Sequence, residues 1–546
     1  MPNEVISKRS LVGGSQMDSP LTPALSPLRG EGARQAVLIR ATSFAAFVAF
    51  RLNELFGSEP NRTRRDADRF QRMPVATPSP LNGERAGVRG EKLQSAKDVS
   101  VEKISKKSPM IKPLCSSSPT IGHWALVILL LLGSLPTALL HAAQPPASEP
   151  ARWWKGNLHT HSFWSDGDDF PESILDYYKT NDYHFVALSD HDVMQTGQRW
   201  LTVTNGARKI AFEKYLQRFG EKWVELRPLQ TVTMARLKRL DEFGKLFNER
   251  GRFLVIPAEE ITARYKLQPI HINASNLRDE LKPQNGSNVV DVIQRNLDAI
   301  REQSRHTGQP ILPHINHPNF GWAITAEELM QVRGETFFEV YNGHPSVHND
   351  GDEHHASLER MWDVSLAFRL SQLKLGLLYG LAVDDSHHYH SYARTNSNPG
   401  RGWVMVRSSR LDAASLITAM EAGDFYATSG VRLKDVRRTE RELAVEIETE
   451  PGVSYRTEFI GTLKGFDPTS RPGPRATNSI YAVTRLYTEQ IGAVLAVADG
   501  PRASYKMAGD ELYVRAKVTS TKPKLNAFGT NETEVAWTQP VVNSSK

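Results

Sequence analysis

From Trp153 to about Gly430 the chain alternates short apolar segments with longer amphipathic ones, and this alternation restricts the fold more than any other feature. The strand candidates are KGNLHTH, HFVALSDHD, FLVIPAEEIT, PIHINA, PILPHINHP, TFFEVYNG and LLYGLAVDDSH. Helix candidates such as PESILDYYKTND and VVDVIQRNLDAIREQSRHTG lie between several of them, the pattern of βα units around a mainly parallel sheet. A charged segment at about 205–250, expected to be helical, interrupts the series. Beyond Gly430 the segments ELAVEIETE, GAVLAVAD, ELYVRAKVTS and TEVAWTQPV alternate or run apolar between turn residues. They predict a small β-sandwich-like domain over 431–546 after an α/β domain over 153–430.

Each strand candidate of the α/β region except TFFEVYNG ends, or nearly ends, in a metal-type ligand. His159 and His161 are two apart in KGNLHTH, so on a strand both project from one face. Asp166 follows, then His191 in LSDHD, Glu260 in PAEEIT, His271 in PIHINA, His317 in NHPN, and Asp385 with His387 in VDDSH. The C-terminal ends of barrel strands converge on one mouth, so residues far apart in sequence can meet there. One strand-end histidine is more often a hydrogen-bonded residue than a ligand; recurrence along one domain reverses that expectation. Imidazole and carboxylate without thiolate suit two or three divalent ions, Zn, Mn or Fe. DEHH at 352–355, His388 and His390 fall on a helix start and a loop and are expected to be solvated. Asp168, Asp169, Asp190, Asp192 and Asp384 are expected to cap, support or face water.

The N-terminal region is of another kind. Residues 1–109 lack hydrophobic periodicity and are rich in Arg, Ser, Gly and Pro. LTPALSPLRGEGAR at 21–34 resembles TPSPLNGERAGVRGE at 77–91, as in a translated repeat. This extension is expected to be disordered, or to precede the true start. Over 110–143 a short basic start, an apolar run from Trp124 to Leu140 broken by Pro136, and the small-residue exit His141-Ala142-Ala143 match a secretory signal. An uncleaved anchor is the alternative, and only then would the protein meet a membrane. A linker, 144–152, follows.

The 67 basic and 61 acidic residues give the whole chain a formal charge of +6, but 19 and 11 of them lie in 1–143, leaving 48 against 50. The exported part is therefore slightly acidic, which excludes an argument for nucleic acid as a partner. The single cysteine, Cys115, lies in the export segment, so a thiol nucleophile is excluded too.

HTHSFWSDG, LSDHD, AEEIT, His271, NHP and DDSH, in that order, resemble the motifs of the PHP (polymerase and histidinol phosphatase) superfamily of metal-dependent hydrolases. WWKGNLHTHS, NHPN, EVYNG, GRGWVMVRSS and GDFYATSG look most like its exported carbaryl-hydrolase-like branch, with a weaker echo in YVRAKV and AWTQPVV. The resemblance covers about 153–430 and implies a distorted (β/α)7 barrel. It also implies a first metal on His159, His161, Glu260 and Asp385, a second on Glu260, His271 and His317, and a third on Asp166, His191 and His387. Glu260 is preferred to its neighbour Glu259 because the family ligand immediately precedes the hydrophobic residue; Asp166 stands where some members have histidine.

Such a centre hydrolyses with a metal-bound hydroxide. Arg394, after the DDSH strand, is expected to clamp an anion, and His344 in YNGH to protonate a leaving group. The substrate is a small molecule: a phosphoester first, with carboxyl esters, amides or carbamates as the alternative. A non-catalytic exported metal-containing binding protein is the reading from another class. Neither a G-x-S-x-G nor a P-loop segment is present.

Overall fold

All seven strand candidates of the α/β region form in the computed structural model, which describes residues 150–334, 337–474 and 482–542. The extension 1–109, the export segment 110–143 and most of the linker 144–152 lie outside the described residues. Everything below belongs to the compact unit Leu132–Lys546. Among the described residues no helix is long and apolar enough to cross a membrane.

The α/β region runs β1 (Arg152–Asn157), α1 (Pro171–Thr180), β2 (Phe185–Leu188), β3 (Arg199–Thr202), α2 (Gly206–Phe219), β4 (Leu226–Leu229), β5 (Val232–Leu237), α3 (Leu240–Phe247), β6 (Leu254–Tyr265) and β7 (Gln268–Ser275). It continues with α4 (Val289–Thr307), β8 (Leu312–Ile315), α5 (Ala326–Leu329), β9 (Phe337–Asn342), α6 (Leu358–Ser371), β10 (Tyr379–Val383), β11 (Trp403–Ser408), α7 (Ala413–Glu421) and β12 (Phe425–Thr428). The remainder is β: β13 (Leu433–Arg438), β14 (Glu442–Ile447), β15 (Tyr455–Leu463), β16 (Ser470–Arg471), β17 (Leu486–Tyr487), β18 (Ala493–Asp499), β19 (Arg502–Lys506), β20 (Glu511–Pro523) and β21 (Thr533–Thr538).

A 13-stranded sheet in the order β10-β9-β8-β7-β6-β2-β1-β11-β12-β21-β20-β15-β18 carries the molecule. Strand β2, FVAL, is buried at every position, as expected of a parallel strand covered on both faces. Past the end of β1, Thr160 bridges Ser386 in parallel sense, and His161 N donates to Ser386 O at 3.0 Å. Asp385 N donates to His159 O at 2.9 Å in the same place. The segments that follow β1 and β10, strands far apart in the sheet order, thus meet, and the sheet curls into a barrel-like form. Helix α4 starts and ends where its caps predict: Asn288 accepts from Asp291 N ahead of it, and Gly308 closes it in the left-handed conformation.

The structure departs from the expectations in four places. Strand β7 is antiparallel to both β6 and β8, because only Lys266 and Leu267 separate it from β6, too few for a crossover. The segment at 205–250 is not wholly helical: β3, β5 and β4 form a three-stranded antiparallel sheet beside α2 and α3. Strand β1 ends at Asn157, so His159 and His161 lie just beyond it, in the stretch that pairs with Ser386. The tail from β13 onward does not stand apart from the barrel sheet, since β21 pairs with β12. The small β13-β14-β19 sheet covers the tail of that sheet, with Leu433, Leu443 and Val445 against Phe459, Val514 and Val518.

Candidate metal centre

The curl of the sheet brings all nine sequence-selected ligands to one place. Glu260 is in the middle, fully buried in β6. Its Oε2 lies 3.2 Å from His159 Nε2, 3.2 Å from His161 Nε2 and 3.1 Å from His191 Nδ1; its Oε1 lies 2.9 Å from His271 Nδ1 and 3.4 Å from His317 Nε2. Asp385 Oδ1 adds contacts of 3.3 Å to His159 Nε2 and 3.2 Å to His161 Nε2. Asp166 approaches His387 Nε2 at 3.3 Å and His191 Nε2 and His161 Nδ1 at 3.7 Å. Because β7 is inverted, His271 sits near that strand's start and still reaches the shared mouth. Glu259, one residue earlier, takes the opposite face of β6, where its Oε1 accepts Leu281 N at 2.7 Å.

These contacts fit cations better than hydrogen bonds. The nitrogens His161 Nε2 and His271 Nδ1 are buried and have no hydrogen-bond partner, although carboxylate oxygens stand at 3.2 and 2.9 Å. Donor atoms around a tetrahedral ion with bonds of about 2.0–2.1 Å are about 3.3 Å apart. The separations of 3.2–3.3 Å among His159, His161, Glu260 and Asp385 match that spacing. Other groups able to hold a cation are His161, Asp166, His191 and His387; His159, His317 and Asp385; His191, Glu260 and His271; and His159, His314 and Glu339. His317 therefore stands between the first and second expected positions, and His161 and His191 each between two. His317 and Asp385 have φ of 22° and 48°, left-handed conformations that are costly outside glycine and concentrate at functional sites.

The electrostatics have the same origin. Burial lowers the pKa of His159, but Asp385, Glu260 and Glu339 outweigh it and hold the group well above its ordinary value. His161 is likewise lowered by burial yet pushed up to about 10 by the close carboxylates of Asp385 and Glu260. For Glu260 and Asp385 burial acts upward, and the surrounding imidazoles overcome it and hold both well below the carboxylate range. His191 goes the other way, lowered to about 3, chiefly by burial.

Sequence reading missed Glu339, in the middle of β9. Its Oε1 accepts from His159 Nδ1 at 2.7 Å and His314 Nε2 at 3.2 Å, and its Oε2 from His317 N and Asn342 Nδ2, both at 2.8 Å. A carboxylate on Nδ1 leaves the Nε2 lone pair of His159 facing the centre. Two asparagines were also missed: Asn316 donates to Glu260 Oε1 at 2.8 Å, and Asn342 to Asp385 Oδ2 at 3.0 Å. The aspartates set aside earlier hold the surrounding loops. Asp190 takes Ser162 N at 2.7 Å and Gln195 Nε2 at 2.9 Å, and Asp384 takes Gly400 N at 2.9 Å, Arg401 N at 2.6 Å, Gly402 N at 2.9 Å and Tyr178 OH at 2.8 Å.

The two expected helpers are placed differently. Arg394 is exposed and makes no hydrogen bond or ion pair among the described residues, so the fold does not hold it as a clamp. The buried arginine of that region is Arg401, whose guanidinium is used up on the carbonyls of Gly343, Asn396, Ala393 and Asn526. His344 is at the centre, its ring 5.4 Å from that of His387. Burial lowers its pKa to about 4, and its Nδ1 accepts from Ser346 N at 3.1 Å. Because Nδ1 accepts that hydrogen bond, the ring's proton sits on Nε2.

No family model matches the chain, and no curated protein does. Similar solved structures include a two-domain protein from Bacteroides vulgatus containing a predicted PHP-like metal-dependent phosphoesterase, at 15% identity over 73% of this chain and 98% of that one, TM-score 0.31. Another is a candidate metal-dependent phosphoesterase from Bifidobacterium adolescentis, at 13% identity over 45% and 89%, TM-score 0.21. A third is an amidohydrolase from Chromobacterium violaceum with bound sulfate and no metal, at 14% identity over 43% and 87%, TM-score 0.22. Likeness this distant does not fix an activity, so the centre is interpreted from its own atoms.

Proposed function

We propose that the chain is a metal-dependent hydrolase of PHP type on a distorted (β/α)7 barrel, acting on phosphoesters. The observation that carries this reading is Glu260, buried and in contact with five imidazoles through its two oxygens. A structural metal site is closed and mononuclear, and a single ion does not need that many donors around a shared carboxylate. His159, His161, Glu260 and Asp385 would hold one ion, Glu260, His271 and His317 a second, and Asp166, His191 and His387 a third. Bound ions would supply Lewis acidity and a water of lowered pKa, chemistry that none of these side chains provides alone.

The chain's own residues do the rest. Glu339 and Asn316 keep His159 and Glu260 aimed at the centre, Asn342 orients Asp385, and His344 offers a neutral N–H to a substrate oxygen. The second reading, hydrolysis of a carboxyl ester, amide or carbamate, is favoured by one observation. Among the described residues no lysine or arginine bonds to any of the nine ligands, so a phosphoryl group would depend on the ions alone for charge neutralisation. Export is proposed on the sequence of 110–143 alone. The test is metal content and turnover of the purified protein on a panel of phosphoesters, aryl esters, amides and carbamates. Two or more ions per chain with phosphoester turnover is the expected result; fewer than two ions with no turnover refutes the hydrolase.

A further inference from the structure

The loop after β8 places one apolar ring against the centre and fixes it there. Phe320 lies with its ring 5.0 Å from that of His317, 6.3 Å from that of His271 and 6.0 Å from that of His344. It is half-buried and bears no polar atom, so it adds nothing to a cation site. The backbone under it is held from three directions. Phe320 bridges Val347, Asn319 Nδ2 donates to His348 O and Ala356 O at 2.9 Å each, and Phe320 N donates to His317 O at 2.8 Å.

Trp322 completes the hold. Its indole stacks on His348 at 4.6 Å and on His355 at 3.8 Å, and it keeps a φ of 53° that a bulky residue rarely adopts. Backbone strain kept in place by that much packing is a cost that needs a return, and what the loop delivers to the mouth is the ring of Phe320. DEHH, which the function did not absorb, belongs to this hold: Asp352 Oδ1 pairs with His355 Nδ1 at 2.7 Å, which fixes the ring on Trp322.

We propose that Phe320 and His344 form the subsite for the part of the substrate that is not hydrolysed, and that this part is uncharged and presents a flat apolar face. The inference rests on the proposed function in placing the reacting group at the ions. Phe320 supplies a rigid face for stacking, and His344 supplies beside it an Nε2–H with no partner among the described residues. Arg394 stays in solvent and Arg401 is fully engaged, so a second anionic group on the substrate finds no partner there. Phe320 is in this sense a specificity-determining residue, with its ordering cost met before the substrate arrives.

The test is calorimetric binding to the metal-loaded full-length protein, which needs no turnover. Phenylphosphonate is compared with methylphosphonate and 2-carboxyethylphosphonate, and benzoate with acetate, in wild type, Phe320→Ala and Phe320→Leu. The expected wild-type preference for phenyl over methyl is about tenfold, and the carboxyethyl compound binds no better than methyl. Phe320→Ala should reduce the phenyl preference to about twofold or less with metal content unchanged, and Phe320→Leu, which keeps the volume but loses the plane, should fall between. A wild-type preference below about twofold, a preference that survives Phe320→Ala, or failure of both ligand pairs to bind overturns the subsite. Phenyl preference without hydrolysis of any ester refutes the enzyme and leaves the subsite standing; hydrolysis without phenyl preference does the reverse.

Discussion

Replacing Glu339 by Gln changes one oxygen for an NH2 group in a space that holds only donors. His159 Nδ1 and His314 Nε2 both point at Oε1, and His317 N and Asn342 Nδ2 both point at Oε2. Burial alone would raise the pKa of this carboxyl, but His159 and the neighbouring imidazoles hold it at about 2, so it is an anion throughout the working range. Whichever end the amide nitrogen takes, two donors lose their acceptor, at about 1–3 kcal/mol each. If the nitrogen faces His159, that ring must move its proton to Nε2, the atom aimed at the centre. If it faces His317, the backbone of that ligand is released instead. Supporting partners of this kind are worth about 10–100-fold in metal affinity, or about 1.4–2.7 kcal/mol. Glu339→Gln should therefore weaken metal binding by that factor in a chelator competition, while circular dichroism shows the fold retained. An affinity within about twofold of wild type in a folded variant would refute the assignment of Glu339 as the group that orients His159.

Other predictions follow from the same charges. Burial pushes Glu259 up to about 8, against the pull of Leu281 N, so the folded state keeps a proton that the unfolded chain loses above about 4.5. That contribution to stability is full below about pH 4.5 and is lost as pH rises towards 8, so Glu259→Gln should stabilise by about 4 kcal/mol at pH 8 and by almost nothing at pH 4 in urea unfolding; an equal effect at both would refute it. Metal-free His159 and His161 are held protonated at neutral pH, His161 with a pKa of about 10, and ligands must be neutral to bind an ion. Loading Zn2+ at pH 7 should therefore release protons, seen as a dependence of the calorimetric heat on buffer ionisation enthalpy, and loading should weaken as pH falls; no buffer dependence would count against these ligands. Asp166→Asn should lower bound metal by one ion per chain without loss of the ion on His159, His161, Glu260 and Asp385; loss of all metal would show that the positions are not separable. Asp384→Asn, which leaves one of three backbone N–H groups of residues 400–402 facing a donor, should lower stability by about 1–3 kcal/mol and loosen the loop beside His387, read by amide exchange.

The nine clustered side chains could be picked out in the sequence because a βα alternation sends strand ends to one mouth, and histidine or carboxylate at successive ends is then a pattern and not a coincidence. The direction of β7 was legible too, in principle: ITARYKLQPI leaves two residues for a connection, enough for a hairpin and far too few for a crossover. Glu339 left a fainter signal. A single carboxylate inside TFFEVYNG, a strand buried at every position, cannot be left unpaired, so it had to find cationic or donor partners somewhere in the barrel. What no reading of one sequence gives is which partners, because His159, His314 and Asn342 reach it only through the register of separate strands. The same limit explains Arg394 and Arg401. Both lie in a polar loop after DDSH, and seven positions apart they are equal in composition, yet one is in solvent and the other is clasped by four carbonyls. The difference is made by Asp384, whose carboxylate gathers the N–H groups of residues 400–402 and turns Arg401 inward. Which side chains can serve as cation donors is thus a local property of this chain, whereas their orientation is set by residues that only the closed barrel brings together.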